Sequence, residues 1–202
     1  MLLRQMEPDE LVELGQLRYK IYVHEMNRPQ AYADHQSQTI IDPLDATAVN
    51  LVALVEGRMV GTQRVNFLSD GRIPSYEELY EIDTHPDHVQ RSSICTRFMV
   101  LPEYRGTSIP LKLAVASYAE GLKRGCRFNY IDCNDHLVGF FERLGYVEKF
   151  VKHHDEYGHV HCMVLAIEDR DHLVRCRSPF RSVFDRYQQR RSQSINHSFE
   201  SV

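Results

Sequence analysis

The stretch TRFMVLPEYRGTSIPLKL, Thr96 to Leu113, places an Arg-Gly turn between an apolar strand pattern and an amphipathic helix pattern. The start of a helix carries unpaired N–H groups and a partial positive charge, so it suits an anion such as a phosphate group. A glycine in the turn also lets the backbone approach a ligand closely. These residue types in this order predict a phosphate-binding turn. The structural alternative is a helix N-terminus capped by Ser108, with Pro110 tolerated in the first turn.

The composition limits what kind of chain carries this turn. With 202 residues, 43% of them hydrophobic, the chain can bury one sizeable core, and we expect a single domain. The net charge of −4 gives no general argument for nucleic-acid or membrane binding, and no stretch approaches the roughly 20 apolar residues that span a bilayer. The N-terminal MLLRQMEPDE does not read as a signal peptide. Five cysteines without C-x-x-C spacing indicate reduced thiols, so we expect a cytoplasmic protein.

The elements that must position the turn follow from hydrophobic spacing. Apolar residues at helical spacing predict a helix over 8–26, a short acidic helix in the connection 68–91, a helix after the turn and a helix in HLVGFFERLGY. β-rich runs predict a hairpin at Glu56-Gly57-Arg58, strands over 93–101 and FNYIDCN, and a final hairpin. Residues 28–48, polar and interrupted by prolines, are predicted to be mostly loop. This order predicts an α/β fold with a mixed sheet.

Two motifs in this order resemble those of the GNAT acyltransferase superfamily, over roughly residues 8–167. VLPEYRG, Val100 to Gly106, is similar to the family's motif for pantetheine and pyrophosphate, and NDHLVGFFERLGY, Asn134 to Tyr146, resembles its second motif. The resemblance implies a GNAT fold: a mixed, mostly antiparallel sheet with splayed central strands, flanked by helices. It implies an acyltransferase domain at residues 1–167 and a basic C-terminal extension at 168–202, which we expect to be helical and then disordered.

In such a fold a phosphopantetheine thioester fits between the splayed strands and pairs with an exposed strand edge, as an added strand would. Backbone N–H groups near Phe98 to Val100 would then face the thioester carbonyl and stabilise its developing oxyanion. The donor is expected to be acyl-CoA or an acyl group on acyl carrier protein. Pro110 lacks an N–H, which favours the single phosphodiester of the carrier protein. The resemblance implies a donor site made of Phe98, Met99, Val100, Arg105, Gly106, Thr107, Ser108, Ile109 and Asn134.

The N-terminal half contains, in this order, the segments LRYKIYVHEMN, DPLDATAVNLVAL, VGTQR and SICTRFMV. This series resembles the acyl-homoserine-lactone synthases and the related N-acyl amino acid synthases. A buried arginine or aspartate is costly unless it pairs with an opposite charge. One aspartate of DPLDATAVNLVAL is therefore expected to pair with Arg64 or Arg97. The network either holds a folded-over loop or contacts substrate, and an unpaired arginine in it would clamp a carboxylate. The family's set is matched in order by Arg18, Tyr22, Asp42, Asp45, Arg64 and Arg97.

The resemblance implies roles for this set: Asp42, Asp45, Arg64 and Arg97 are candidate catalytic residues, and Arg18, Tyr22 and Phe141 are candidate substrate-binding residues. One of the two aspartates, or a water held by it, is the first candidate base, with Glu25 and His136 as alternatives. The chain has no Trp, and Ile94 stands where the lactone-synthase group has Glu. S-adenosylmethionine is therefore disfavoured as acceptor. A plain amino acid, acylated on its α-amine, is favoured.

Three other features are interpreted as mostly structural. KHHDEYGHVHC has His159 and His161 alternating on one strand, but it matches no known zinc spacing, so no metal is expected. Cys133, at a strand end, could carry an acyl group or be a small buried thiol. The basic segment RDHLVRCRSPFRSVFDRYQQRR could pack on the domain, dock an acidic carrier protein or bind RNA. Packing is favoured, through Val174, Phe180, Val183, Phe184 and Tyr187, and no nucleic-acid binding is expected.

Together these inferences predict a cytoplasmic N-acyltransferase that moves an acyl group from a phosphopantetheine thioester to the amine of an amino acid. Two alternatives stay open. One is an acetyl-CoA-dependent N-acetyltransferase of a small amine or a protein. The other is a catalytically silent module that binds an acyl thioester or a partner, because Phe140 and Phe141 stand where many GNATs have a proton-donating Tyr.

Overall fold

A seven-stranded sheet forms the centre of the protein. The computed structural model describes residues 1–154 and 156–199, and of residues 194–199 the backbone only. The strands are β1 Leu2–Gln5, β2 Ala33–Asp34, β3 Thr39–Ile40, β4 Val49–Val55, β5 Arg58–Phe67, β6 Ser92–Val100, β7 Phe128–Cys133, β8 Val147–His154 and β9 Gly158–Ala166. The sheet has the order β1-β4-β5-β6-β7-β9-β8, and β2 pairs with β3 in a separate ribbon.

Helices flank the sheet. They are α1 Leu11–Tyr19, α2 Pro74–Leu79, α3 Pro86–Gln90, α4 Ile109–Lys123, α5 Asp135–Leu144, α6 Arg170–Arg175 and α7 Phe180–Phe199. A π-helix, Lys20–Glu25, continues α1, so the helix predicted over 8–26 changes its hydrogen-bond pattern midway. Within the described parts of the chain, no helix is both long and apolar enough to cross a membrane.

The two central strands separate part-way along their length. Strands β6 and β7 are parallel, and their pairing runs only from Ser92↔Phe128 to Ile94↔Tyr130. Every other neighbouring pair in the sheet is antiparallel. Beyond Ile94 the two strands therefore leave a gap, in which their edges do not bond to each other. The predicted mixed, mostly antiparallel sheet with splayed central strands is confirmed.

A β-bulge interrupts the pairing of β5 with β6 where the gap opens. Thr62 pairs with Met99 and Arg64 with Thr96, so Gln63 faces two residues, Arg97 and Phe98. Arg97 has a φ of 54°, in the left-handed region that a non-glycine residue rarely adopts. Bulges re-aim side chains by breaking the alternation of a strand. Here Thr96 and Arg97, although adjacent, both face the same group of charged residues.

Two buried clusters support the sheet. The larger joins α1, α4, α5 and the C-terminal helices to the strands, and it includes Leu173, Phe180 and Phe184 of the C-terminal segment. The smaller lies under residues 68–91 and is built around Tyr80, Ile94 and other side chains. This cluster fills the space between the sheet and residues 68–91, where an apolar tunnel for a long acyl chain would have to run.

The C-terminal segment packs as predicted, with one exception. Phe180 is 1% exposed, and its ring stacks on Tyr118 at 4.3 Å between centroids. Phe184 is buried as well, and Val183 and Tyr187 pack against the same core, but Val174 is 39% exposed and was wrongly included. The backbone is helical as far as Phe199. Part of the predicted terminal disorder falls on residues 200–202, which lie outside the described residues.

Candidate active site

A cavity of about 630 Å³ occupies the gap between β6 and β7. Residues 95–100 of β6 form one wall and residues 131–134 at the end of β7 form another. The π-helix and the N-terminal halves of α4 and α5 line the sides, mostly with apolar side chains but also with Glu25 and His136. A concave, largely apolar cavity with a few polar groups is the usual form of a small-molecule site.

The turn before α4 lies at the mouth of the cavity. Arg105 and Thr107 line it, and Arg105 donates from Nε to the Val100 carbonyl at 2.9 Å. The predicted capping role of Ser108 is wrong, because its side chain makes no cap hydrogen bond. Thr107 replaces it: its Oγ1 accepts from the Ile109 N–H at 3.2 Å. Pro110 lies in the first turn as expected.

The predicted set of arginines and aspartates forms one buried network. Arg18 binds Asp45 through both carboxylate oxygens, at 2.7 and 2.8 Å, and is itself fully buried. Arg64 donates from Nη1 to Asp42 at 2.5 Å and from Nε to the Thr96 hydroxyl at 3.0 Å. Arg97 donates to the second oxygen of Asp42 at 3.1 Å. Residues far apart in the chain are thereby fixed to one another.

Local sequence places the two aspartates where the arginines can reach them. Asp42 precedes a short 3-10 helix, Pro43–Ala46, and its carboxylate accepts from the Leu44 N–H at 3.0 Å. Asp45 returns the bond by accepting from the Asp42 N–H at 3.0 Å. This reciprocal capping satisfies backbone donors at the helix start. It also holds both carboxylates on one side of the loop.

The buried network carries one more positive than negative charge. Three arginines, Arg18, Arg64 and Arg97, share two aspartates, and all five side chains are at most 6% exposed. Burial alone would raise the pKa of Asp45, but the hydrogen bonds and charges of Arg18 and Arg64 hold it below its usual value. Arginine stays protonated in proteins. The surplus charge therefore calls for an anion, and Arg97 is the arginine of this set that lines the cavity.

Arg97 is held from several sides. Its Nη1 donates to Gln30 at 2.5 Å and to the Tyr157 hydroxyl at 2.8 Å, and its guanidinium lies 5.1 Å from the centre of the Tyr22 ring. Among the described residues, Nε of Arg97 and Oε1 of Gln63 are buried without a hydrogen-bond partner. Both residues line the cavity. Buried polar atoms are rarely left unpaired, so these two are candidates for contact with a ligand.

Asp132 and Tyr76, which no sequence motif indicated, also line the cavity. Asp132 lies in β7, and one of its oxygens accepts from the Tyr80 hydroxyl at 2.5 Å. Burial raises the pKa of Asp132, against the effect of the Tyr80 hydrogen bond and the charge of Arg97. Burial also raises the pKa of Tyr76 to about 12, with Asp132 adding to the rise and Arg64 and Arg97 opposing it. The charge of Asp132 thus acts on Tyr76, and the positive charge of Arg97 acts on both groups.

The structure separates the predicted residues into two groups. Those on the cavity wall are Tyr22, Glu25, Arg97, Phe98, Met99, Val100, Arg105, Thr107, Asn134, His136 and Phe141. Those behind or beside it are Arg18, Asp42, Asp45, Arg64, Gly106, Ser108 and Ile109. The first group unites the donor motifs with the tip of the charged network. The second contains both aspartates named as candidate bases, which leaves them one layer behind the space a substrate could enter.

The histidines of the last hairpin do not gather around a common point. His153 and His159 meet edge to face at 5.7 Å, and His161 bonds to Glu148 and, at 3.0 Å, to Asp135. In residues 1–154 and 156–199, no three His, Cys, Asp or Glu side chains are arranged to hold a metal ion.

Comparison with known proteins identifies one matching family. The profile of the N-acyl amino acid synthase FeeM family matches residues 13–168. A search of curated proteins gives no significant match.

Solved structures resemble this fold at low sequence identity. The CoA-dependent acyl-homoserine lactone synthase BjaI, with SAM and isopentyl-CoA, is 19% identical over 85% of this chain and 83% of its own, with a TM-score of 0.64. MesI, also a CoA-dependent acyl-homoserine lactone synthase, is 17% identical over 91% of this chain and 95% of its own, with a TM-score of 0.66. A GNAT-family acetyltransferase from Streptococcus pneumoniae is 13% identical over 81% of this chain and 96% of its own, with a TM-score of 0.57. These similarities show the GNAT fold.

Proposed function

This chain belongs to the N-acyl amino acid synthase FeeM family and is accordingly an acyltransferase, and we propose that it acylates the α-amine of an amino acid from a phosphopantetheine thioester. The observation that carries the proposal is the position of Arg97. It lines the cavity, belongs to a buried network with one surplus positive charge, and has an unpaired Nε. A carboxylate is the anion that an amino acid would bring to it.

The thioester donor fits the gap between β6 and β7. The unpaired edge of β6 over 95–100 offers backbone groups to a pantetheine arm, in the manner of strand addition. Arg105 and Thr107 at the mouth, with Asn134 at the start of α5, lie where the phosphate end of the donor would leave the cavity. Two of the similar solved structures are described as CoA-dependent, which favours coenzyme A as carrier. Acyl carrier protein is the alternative carrier.

The apolar wall of the cavity suits the acyl chain. Phe98 stacks on Phe140 and meets Phe141 edge to face, each pair 5.7 Å apart between ring centres. Leu111 and Leu137 also line the cavity. Because phenylalanine cannot donate a proton, the leaving thiolate is not protonated from this side, and the thiolate departs without strong assistance.

We assign the buried pairs a supporting role in the same proposal. Asp42 and Asp45 hold Arg64 and Arg18, and through Asp42 they fix the guanidinium of Arg97 at the cavity wall. Tyr22 covers the face of this guanidinium and narrows the space around it. A bound group held in one orientation reacts faster because less freedom is lost in the reaction. Asp42, Asp45, Arg18 and Arg64, which lie behind the cavity wall, therefore position the guanidinium of Arg97 without touching substrate.

The acceptor is not proposed to be S-adenosylmethionine. Ile94, at the position where the lactone-synthase group carries Glu, is fully buried in the smaller apolar cluster and does not line the cavity. An isoleucine side chain cannot hold a sulfonium group as the glutamate of the lactone-synthase group would. A plain amino acid needs only a carboxylate clamp, a proton acceptor and a nearby thioester.

The experiment that tests the proposal is a product screen by mass spectrometry. The purified protein is given the amino acids with donors from acetyl to palmitoyl, on coenzyme A and on acyl carrier protein in separate reactions. An N-acyl amino acid as product is the expected result, and it names both substrates. Acetylation of simple amines alone would show an ordinary acetyltransferase. Tight thioester binding without product would show the silent module.

A further inference from the structure

One carboxylate of the cavity is assigned no role by the arginine network. Asp132 lies in β7 just before the strand ends, and it lines the cavity on the side opposite Arg97 of β6. One oxygen is held by the Tyr80 hydroxyl at 2.5 Å. Among the described residues, no side chain bonds to its second oxygen. The Tyr80 hydroxyl thus orients the carboxylate, and the second oxygen can accept a proton from a bound substrate.

The other candidate bases are occupied or peripheral. Asp42 and Asp45 are bound by arginines and lie behind the cavity wall. Glu25 gives both oxygens to Arg105, at 2.6 and 2.8 Å. His136 lines the cavity at the exposed start of α5, at its mouth. Asp132 alone among these carboxylates faces the cavity without an arginine bound to it.

We propose that Asp132 is the general base that accepts a proton from the ammonium group of the acceptor, and that Tyr80 positions it. The inference rests on the proposed N-acylation, because a base is needed only if an amine is the nucleophile. With the acceptor carboxylate on Arg97, the ammonium group reaches across the gap from β6 to β7. The carboxylate of the amino acid would then pair with Arg97 on β6, and its ammonium group with Asp132 on β7.

The acylation involves two proton transfers from the acceptor nitrogen. Asp132 takes one proton from the ammonium, which leaves a neutral amine with a free electron pair. That pair forms a C–N bond with the thioester carbonyl carbon, and the C–S bond breaks with its electrons on sulfur. The second proton lost from nitrogen neutralises the thiolate, so the products are an amide and a free thiol. Asp132 then releases its proton to solvent.

The charges around Asp132 suit this task. Tyr76 and Tyr80 face it from α2 and its C-terminal end, Arg97 from β6, His154 from β8 and Cys162 from β9, while Cys133 follows it in β7. Burial raises its pKa, and the Tyr80 hydrogen bond and the positive groups lower it again in part. A base works best when its pKa lies nearer to the working pH than that of an ordinary aspartate.

Two variants test the assignment in the full-length protein. Asp132→Asn keeps the shape but removes the base, and Tyr80→Phe keeps the base but removes the hydrogen bond that lowers its pKa. Glu78→Gln, an exposed carboxylate of α2, and Tyr130→Phe, which stacks on Tyr80 but bonds to His88, are the matched controls. For each variant, kcat/KM for the amino acid is measured from pH 5 to 10, and the Kd for the donor is measured separately.

We expect Asp132→Asn to lose about 100-fold or more in kcat/KM at pH 7, since a general base contributes roughly 10²–10⁴-fold. Part of the loss should return at high pH, where the amine is deprotonated in solution, and the donor Kd should stay within about twofold, since the change keeps the cavity shape. Tyr80→Phe should move the acid limb of the profile to higher pH, because it raises the pKa of Asp132. The control variants should follow the wild type. A merely structural Asp132 would not produce these shifts in the pH profile.

The inference is overturned if Asp132→Asn keeps kcat/KM within threefold of the wild type at pH 7, or if the acid limb of Tyr80→Phe does not move. Loss of activity in His136→Gln with an active Asp132→Asn would assign the base to His136 instead. In each case the wild type still makes N-acyl amino acid, so the proposed function stands. If the wild type makes none, the proposed function fails, and the inference about Asp132 falls with it.

Discussion

Replacing Asp45 with asparagine removes one carboxylate from the centre of the buried network. Arg18, fully buried, then has no charged partner, and its remaining acceptors are neutral: the new amide oxygen, the side chain of Asn50 at 3.0 Å and the carbonyl of Ile40 at 3.4 Å. Arg64 also loses its longer contact of 3.4 Å. The surplus of one positive charge becomes a surplus of two inside the protein. We therefore expect the fold to be destabilised, and the loop that carries Asp42 to lose its support first.

The size of the effect follows from the burial of the pair. Breaking a buried ion pair by removing one partner costs about 3–5 kcal/mol, because an uncompensated charge stays buried. The total free energy of unfolding of a single domain is roughly 5–15 kcal/mol. At 2–4 °C per kcal/mol, the melting temperature should fall by about 6–20 °C. The matched control is Asp87→Asn. Asp87 pairs with Arg91 at 3.7 Å on the surface, so this change should lower the free energy of unfolding by about 1 kcal/mol or less.

Urea and thermal unfolding of the two variants and the wild type measure this difference. Since the pKa of Asp45 is lowered in the folded state, its stabilisation is present at pH 7 and is lost as the pH falls below the unfolded value of 3.8. The gap between wild type and Asp45→Asn should therefore shrink in acid. If Asp45→Asn unfolds within about 0.5 kcal/mol of Asp87→Asn at pH 7, the network does not hold this part of the fold.

Three further predictions concern other parts of the molecule. Phe180→Ala should cost about 3–5 kcal/mol in urea unfolding, against a small effect for the exposed Val174→Ala, and equal effects would show that the C-terminal segment is not part of the core. Hydrogen bonds to Glu148 and Asp135 raise the pKa of His161, so NMR titration should find this pKa above 6.5. His161→Gln should therefore be less stable than the wild type below pH 6.5, and equally stable well above the raised pKa. A pKa of 6.5 for His161 would refute the contacts. Burial raises the pKa of Cys133 to about 12, so intact-mass measurement after incubation with donor alone should show no acyl-enzyme. A stoichiometric acyl adduct lost in a Cys133→Ser variant would restore the covalent mechanism.

Much of the fold follows from patterns that local physics enforces. The hairpin at Glu56-Gly57 needs two residues with positive φ, and both have it, at 53° and 79°. Gly125 and Gly145 end α4 and α5 with φ values of 70° and 107°, as their position after apolar helices predicts. Strand β1 was missed because LLRQ is too short to show a period, and only its pairing with β4 makes it a strand.

The site was predictable where residue types alone carry the chemistry. The arginines and aspartates had to pair because charges that leave water cannot stay alone, and they do pair. The bulge at Arg97 and the position of Asp132 were not predictable. A short buried strand such as FNYIDC reads as core, and only the separation of β7 from β6 opens Asp132 to a cavity. Tyr157 reaches Arg97 from the distant last hairpin, a contact that chain order does not reveal.

The role of Arg97 as the carboxylate clamp makes turnover depend on the carboxylate of the acceptor, and this dependence can be measured. The enzyme is given the amino acid found in the product screen and, separately, the amine that this amino acid gives on decarboxylation. A charge-assisted hydrogen bond is worth about 1.5–3 kcal/mol, so kcat/KM for the amino acid should be about 10- to 100-fold higher.

The same ratio is then measured in Arg97→Met, which leaves Asp42 bound to Arg64 and the fold supported. We expect the ratio of kcat/KM for the amino acid to kcat/KM for the amine to fall towards one in this variant, while the amine reacts at a similar rate in both proteins. If the wild type acylates the amine as well as the amino acid, or if Arg97→Met keeps the full preference, Arg97 does not bind the acceptor carboxylate and the proposed function is contradicted.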